Sequence, residues 1–180
     1  MTPRRAVFLD RDGVLVQELV VDGRALAPLT LSDFRLVPEA ATQTQRLRDA
    51  GLVCLVFTNQ PEVATGELAV DVLTAMHRQL RATVPVDDIY VCPHHEADGC
   101  VCRKPRTGML TAAAEQWGVQ LEASFVIGDR WRDVDAGKAA GCFAVLIERA
   151  YSGCDTADAR VRTLAEAVDI VLAQLTMPQS

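Results

Sequence analysis

The chain has 180 residues, 49% of them apolar and 23% charged, which is enough for one substantial core, so a single domain over residues 1–180 is expected. Its net charge of −6 excludes a general nucleic-acid surface, because such a surface needs a basic face to displace counterions from phosphates. No apolar run is long enough to cross a bilayer, and the N-terminal "MTPRRAVFLDRDG" meets acids before a signal-peptide core could form, so a cytoplasmic protein without a membrane partner is expected.

In chain order, the first strand signal is "RAVFLD", followed by room for a short hairpin around Asp22 and Gly23. Pro38 with Glu39 starts a helix that Gly51 stops. "LVCLVFTN" is a second strand, and a helix from Glu67 to about Thr83 carries Ala69, Val72, Leu73, Met76 and Leu80 on one face. "DDIYVCPH" is a third strand. A helix from about Thr107 to Trp117 ends at Gly118, "SFVIGD" is a fourth strand, and a helix from about Asp133 to Ala140 ends at Gly141. "CFAVLIE" is the fifth strand, a last helix runs from about Asp158 to Leu175, and the polar tail "TMPQS" is expected to fray. The strands are rich in β-branched and aromatic residues, as strands buried on both faces should be. Strands alternating with helices predict an α/β fold: a doubly wound, Rossmann-like parallel sheet with right-handed crossovers.

Asp10, Asp12, Thr58, Asn59 and Asp129 all fall at carboxyl ends of these strands, where open parallel sheets bind ligands. Any one acid there is an ordinary turn residue; acids from separate strands aimed at one edge point to a cation site. Asp10 and Asp129 can give oxygen ligands to Mg²⁺, with remaining positions left to water and a substrate phosphate. The cation lowers the repulsion between an anionic nucleophile and a phosphoryl group, so Asp10 can attack and form an aspartyl-phosphate. Asp12 then serves as general acid for the leaving oxygen and general base for the hydrolytic water. Arg11, Arg103, Arg106 and Arg130 offer a local positive field in an acidic chain.

The stretch "CPHHEADGCVC" is a second signal. Cys92, His94, Cys100 and Cys102 give three thiolates and an imidazole, the ligand set of a closed structural Zn²⁺ site, with His95 a competing imidazole. Such a site in loop 92–102 has no open position for catalysis and would order the segment leading into Arg103 and Lys104. The remaining cysteines are read as reduced thiols. His77 is expected at the surface, and Trp117 and Trp131 as packing or rim residues.

"FLDRDGVL", "FTNQ", Lys104 in "RKP" and "IGDRWRDVDAG" resemble the four ordered motifs of the haloacid dehalogenase superfamily of phosphatases, over nearly the whole chain. The resemblance implies Asp10 as nucleophile, Asp12 as general acid/base, and Asp129 with the Asp12 main-chain carbonyl as Mg²⁺ ligands. It also implies Asp133 holding metal-bound water, and Thr58 and Lys104 stabilising the transferring phosphoryl group. The cysteine-bearing loop before "RKP" narrows the resemblance to the D-glycero-D-manno-heptose 1,7-bisphosphate 7-phosphatases and the related histidinol-phosphate phosphatases. In that resemblance Arg103 and Arg130 contact substrate, and Arg11, Asn59 and Gln60 join them as candidate substrate-binding residues. The chain departs from the usual continuation of the second motif by carrying Pro61 and Thr65.

The intervals from Asp12 to Thr58 and from Thr58 to Lys104 are too short for a separate cap domain, so an open site bordered by loops is expected. The expected activity is a Mg²⁺-dependent phosphomonoester hydrolase whose partner is a small phosphorylated metabolite, first a heptose 1,7-bisphosphate, alternatively histidinol phosphate or another sugar phosphate. A monomer is expected. A receiver-like phospho-switch is the reading of a different class; Asp12 argues against it, since a general base shortens the life of an acyl phosphate.

Overall fold

Successive residues of a strand point to opposite faces, and in the central strands of this chain both sets are apolar, so two cores form on one sheet. The computed structural model describes residues 4–153 and 156–176. Cys154 and the tail beyond Thr176 lie outside them. Strand β1 (Ala6–Leu9) is followed by a hairpin of β2 (Leu19–Val21) and β3 (Arg24–Leu26), then by helix α1 (Ala40–Asp49) and β4 (Val53–Asn59). The short α2 (Glu62–Thr65), the longer α3 (Val70–Thr83) and β5 (Asp88–Cys92) come next. After the cysteine loop the chain forms α4 (Gly108–Trp117), β6 (Phe125–Gly128), α5 (Trp131–Ala139), β7 (Phe143–Ile147), β8 (Ala159–Val161) and α6 (Leu164–Thr176).

The main sheet has six strands in the order β5-β4-β1-β6-β7-β8, every pair parallel. Val7, Leu9, Cys54, Val56 and Ile127 pack with Leu47 of α1, Met76 and Leu80 of α3 and Val168 and Val171 of α6. On the opposite face, Phe8, Leu55, Phe57, Val126 and Leu146 pack with Leu110 of α4 and Val134 of α5. The result is the expected doubly wound sheet. The intervals around the hairpin and around α2 and α3 hold no separate cap.

The strand order reverses at β1: the chain moves outward from β1 through β4 to β5, then returns to place β6 on the other side of β1. Asp10 follows β1 and Asp129 follows β6, so both lie at this switch point, where a crevice opens beyond the strand ends.

Four elements differ from expectation. The last helix begins at Leu164 rather than near Asp158, because Ala159–Val161 pairs with β7 as an edge strand. Thr163 and Glu166 then fix the helix start: Glu166 Oε2 accepts from the main-chain N–H of Arg162 (2.7 Å) and Thr163 (3.1 Å), and Thr163 Oγ1 accepts from Glu166 N–H (3.2 Å). The helix expected from Glu67 starts at Val70, with Leu68 buried ahead of it, and Pro61 opens the unpredicted α2. Cys54 and Cys142 are free and buried, and burial pushes both thiols up to about 12, so they pack as small apolar groups.

Candidate active site

Asp10, Asp129 and Asp133 are buried together, with carboxylate oxygens within 4.8 Å of one another. Asp10 Oδ1 accepts from Arg11 N–H (2.8 Å) and from Lys104 Nζ (2.8 Å). Lys104 also donates to Asp133 Oδ1 (2.6 Å) and to the Phe57 carbonyl (2.9 Å), and its ammonium sits 4.1 Å from the Phe57 ring centre. Within this cluster one ammonium faces three carboxyl groups. Burial, and then the negative charge of Asp133, raise the Asp10 carboxyl to about 6 against the pull of Lys104. Burial, Asp10 and Asp133 raise Asp129 as well. Burial opposes the charge on Lys104, but Asp10 and Asp133 outweigh it and raise its pKa.

Close approach of backbone makes this cluster possible. A Cβ on Gly13, whose φ is +85°, would collide with the Asp129 carboxylate, and one on Gly128 would collide with Asp133. Asp129 Oδ1 is buried without a hydrogen-bond partner among the described residues, while Oδ2 accepts from the Tyr151 hydroxyl (2.7 Å). A buried acceptor without a donor, within reach of two further carboxylates, fits a hard divalent cation.

Lys104 is held from behind by Asn59, whose Oδ1 accepts from Lys104 N–H (3.1 Å) and whose Nδ2 donates to Lys104 carbonyl (3.2 Å). Asn59 borders the cavity, but both ends of its amide are engaged with the Lys104 backbone. Thr58 borders it too, its hydroxyl accepting from Gln60 Nε2 (3.1 Å).

Arg11 and Gln60, expected among the substrate-binding residues, point into the protein. Neither has any exposed surface. Arg11 donates from Nε to Asp12 Oδ1 (3.0 Å) and from Nη2 to Asp12 Oδ2 (2.9 Å) and Gln60 Oε1 (2.8 Å), and its Nη1 meets His77 Nε2 at 3.2 Å. Gln60 Nε2 donates to Asp12 Oδ2 (2.8 Å). The pair is spent on holding the Asp12 carboxylate at the cavity. His77 is accordingly not a free surface residue, and burial together with the adjacent guanidinium lowers its pKa to about 4.

The remaining cations divide differently from the expected set. Arg103 and Arg130 line the cavity, and Arg132, which the motif reading passed over, joins them. Its spacing from Arg130, two residues on at the start of α5, was the available signal. Arg130 Nη2 donates to the Ala25 carbonyl (3.2 Å), so the hairpin forms one rim. Arg103 Nε donates to Glu96 (2.9 Å) and Nη1 to the His94 carbonyl (3.1 Å), tying it to the cysteine loop. Arg106 does not reach the cavity lining; it donates to the Cys100 carbonyl (2.8 Å).

In that loop Cys92, His94, Cys100 and Cys102 bring their ligand atoms together. The Cys92–Cys100, Cys100–Cys102 and Cys92–His94 separations are 3.6, 3.5 and 3.7 Å, and His94 Nδ1 lies 3.3 Å from Cys102 Sγ. Tetrahedral bonds of about 2.3 Å to sulfur imply edges of about 3.8 Å, so the quartet fits a four-coordinate soft cation. His95 stands apart, capping the turn Glu96–Asp98 by accepting from Ala97 N–H (3.4 Å).

A parallel sheet in this order, with an acidic cluster and a lysine at its switch point, defines a hydrolase of the haloacid dehalogenase class. A HAD-hydrolase-like family model matches residues 101–176. The D-glycero-D-manno-heptose-1,7-bisphosphate 7-phosphatase of Thermosynechococcus vestitus is 36% identical over 165 residues, 83% of this chain and 81% of that protein. The D-glycero-beta-D-manno-heptose-1,7-bisphosphate 7-phosphatase of Pseudomonas aeruginosa is 38% identical over 150 residues, 81% of this chain and 82% of that one. The crystal structure of D,D-heptose 1,7-bisphosphate phosphatase from B. bronchiseptica, complexed with magnesium and phosphate, superposes with a TM-score of 0.81 at 29% identity, covering 94% of this chain and 99% of that chain. The chain belongs to the heptose-bisphosphate 7-phosphatase family of the haloacid dehalogenase superfamily.

Proposed function

We propose that the chain is a Mg²⁺-dependent phosphomonoester hydrolase that removes the 7-phosphate of D-glycero-D-manno-heptose 1,7-bisphosphate. The observation that carries this reading is the buried Asp10 carboxylate, fixed by Lys104 and facing a cavity that Asp12, Arg103, Arg130 and Arg132 also line. A carboxylate oxygen of Asp10 bonds to phosphorus as the sugar oxygen leaves with a proton from Asp12. Asp12 then takes a proton from the water that attacks phosphorus, and phosphate departs with Asp10 restored. Lys104 and the Thr58 hydroxyl stabilise charge on the transferring oxygens. Asp10, Asp129 and the Asp12 carbonyl would hold Mg²⁺ with Asp133 beside them, and the cation supplies charge neutralisation between nucleophile and phosphoryl group. Cys92, His94, Cys100 and Cys102 would hold Zn²⁺ with a full ligand set, so its role is to fix the loop.

A second phosphate on the substrate suits three arginines beyond the catalytic lysine, which favours a bisphosphate over histidinol phosphate. The relatives named above act, by their names, on the heptose bisphosphate. Phosphate release should be fastest with the heptose bisphosphate in a panel that includes heptose monophosphates and histidinol phosphate. Asp10→Asn should abolish release from every member, and Asp12→Asn should slow it about 10²–10⁴-fold. A folded Asp10→Asn protein with near-normal turnover would refute the mechanism, and a preference for histidinol phosphate would refute the substrate.

A further inference from the structure

The loop after β7 reaches back over the site at Tyr151 and Ser152. Ser152 Oγ donates to the main-chain carbonyl of Asp129 (2.6 Å), and the Ser152 carbonyl accepts from Trp131 N–H (2.9 Å), so the loop is pinned to the start of α5. From that anchor the Tyr151 hydroxyl donates to Asp129 Oδ2 (2.7 Å). The Arg130 guanidinium lies over the Tyr151 ring at 5.1 Å from its centre. Asp129 Oδ1, the other oxygen, is a buried acceptor without a donor, as is Oε2 of Glu18, whose carboxyl group neighbours Asp129.

We propose that Tyr151 is a positioning residue serving both halves of the site: its hydroxyl fixes Asp129 so that Oδ1 faces the cation, and its ring is the platform that holds Arg130 toward the substrate. It lies 22 residues beyond Asp129 and outside the four motifs quoted above. The chemistry follows from the two contacts. A carboxylate with one oxygen taken by a fixed donor presents the other in a single direction, which is how outer partners of a metal ligand tune affinity. A guanidinium stacked on an aromatic face loses little more freedom when it grips an anion.

The inference rests on Asp129 as a cation ligand, so the experiment measures that separately. Mn²⁺ binding is followed by electron paramagnetic resonance in the parent, Asp129→Ala, Tyr151→Phe and Tyr151→Leu proteins, and KM for the heptose bisphosphate is measured at saturating Mg²⁺. Tyr151→Phe keeps the ring and loses the hydroxyl, so Mn²⁺ binding should weaken about tenfold or more while KM stays near the parent value. Tyr151→Leu should lose Mn²⁺ affinity equally and also raise KM about fivefold. Mn²⁺ binding by Tyr151→Phe as tight as in the parent overturns the role of the hydroxyl, and equal KM values for Phe and Leu variants overturn the role of the ring. Undiminished Mn²⁺ binding by Asp129→Ala overturns instead the cation assignment beneath both.

Discussion

Arg11 has the chain position of a phosphate-binding cation, between Asp10 and Asp12, and yet its guanidinium is fully enclosed by Asp12, Gln60 and His77. Motif spacing placed Asp10, Thr58 and Asp129 at the crevice because each ends a strand or follows one, where backbone alone decides location. The direction of the Arg11 side chain depends instead on α3, sixty-six residues away, bringing His77 against it. The contact needs a neutral ring, since His77 Nε2 can accept from Arg11 only when it carries no proton. His77 titrates at about 4 in the folded protein against an ordinary 6.5, so the unfolded chain takes up a proton first as pH falls. The stabilisation is complete above pH 6.5 and is lost progressively down to about pH 4. Glutamine keeps an acceptor without titrating. Denaturant unfolding of parent and His77→Gln at pH 7 and 4.5 should therefore show the parent losing about 2 kcal/mol more than the variant, with titrations common to both cancelling. Equal losses would mean that His77 is not held neutral by the fold.

At the scale of elements, the segment between β5 and α4 has no helix or strand to hold it except one short turn, and its order comes from side chains. Arg103 and Arg106 clasp the carbonyls of His94 and Cys100, and Asn59 clasps Lys104 at the far end. The cysteine spacing made the quartet of Cys92, His94, Cys100 and Cys102 legible as a candidate metal site, since three thiols and an imidazole within eleven residues have few other uses. The edge strand β8 was less so: three residues around the exposed Arg160 have too little apolar pattern to separate from the helix that follows, although the Thr163 and Glu166 spacing was a readable helix start. If zinc substitutes for missing secondary structure, dialysed protein should retain about one zinc per chain. Stripping it in excess Mg²⁺ should lower kcat by loosening Lys104 and open loop 92–102 to protease, with the sheet's circular dichroism unchanged. Metal-free protein with full turnover and a protected loop would dismiss the structural role.

For the whole molecule, strand order has no local signature, and the sequence pattern predicted alternation without it. The site was legible nonetheless, because every parallel strand ends at the same edge whatever the order, and the reversal at β1 then brings Asp10 and Asp129 together. What remained hidden is how an acidic protein gathers an anionic ligand. A net charge of −6 repels a bisphosphate at a distance, so affinity must come from the cations that line the cavity. Among these, Lys104 is engaged with Asp10 and Asp133, and Arg103 with Glu96 and the loop. Removing Arg103 would thus disturb the loop as well as the ligand. Arg132 borders the cavity from the first turn of α5, beside Trp131, and gives the cleaner probe. A charge-assisted contact to the phosphate that is not cleaved is worth about 1.5–3 kcal/mol. Arg132→Gln should raise KM for the heptose 1,7-bisphosphate about tenfold or more, change KM for heptose 7-phosphate little, and leave kcat for both near the parent values. Equal losses on the two substrates would put Arg132 at the transferring phosphoryl group and leave the second phosphate to Arg103 and Arg130.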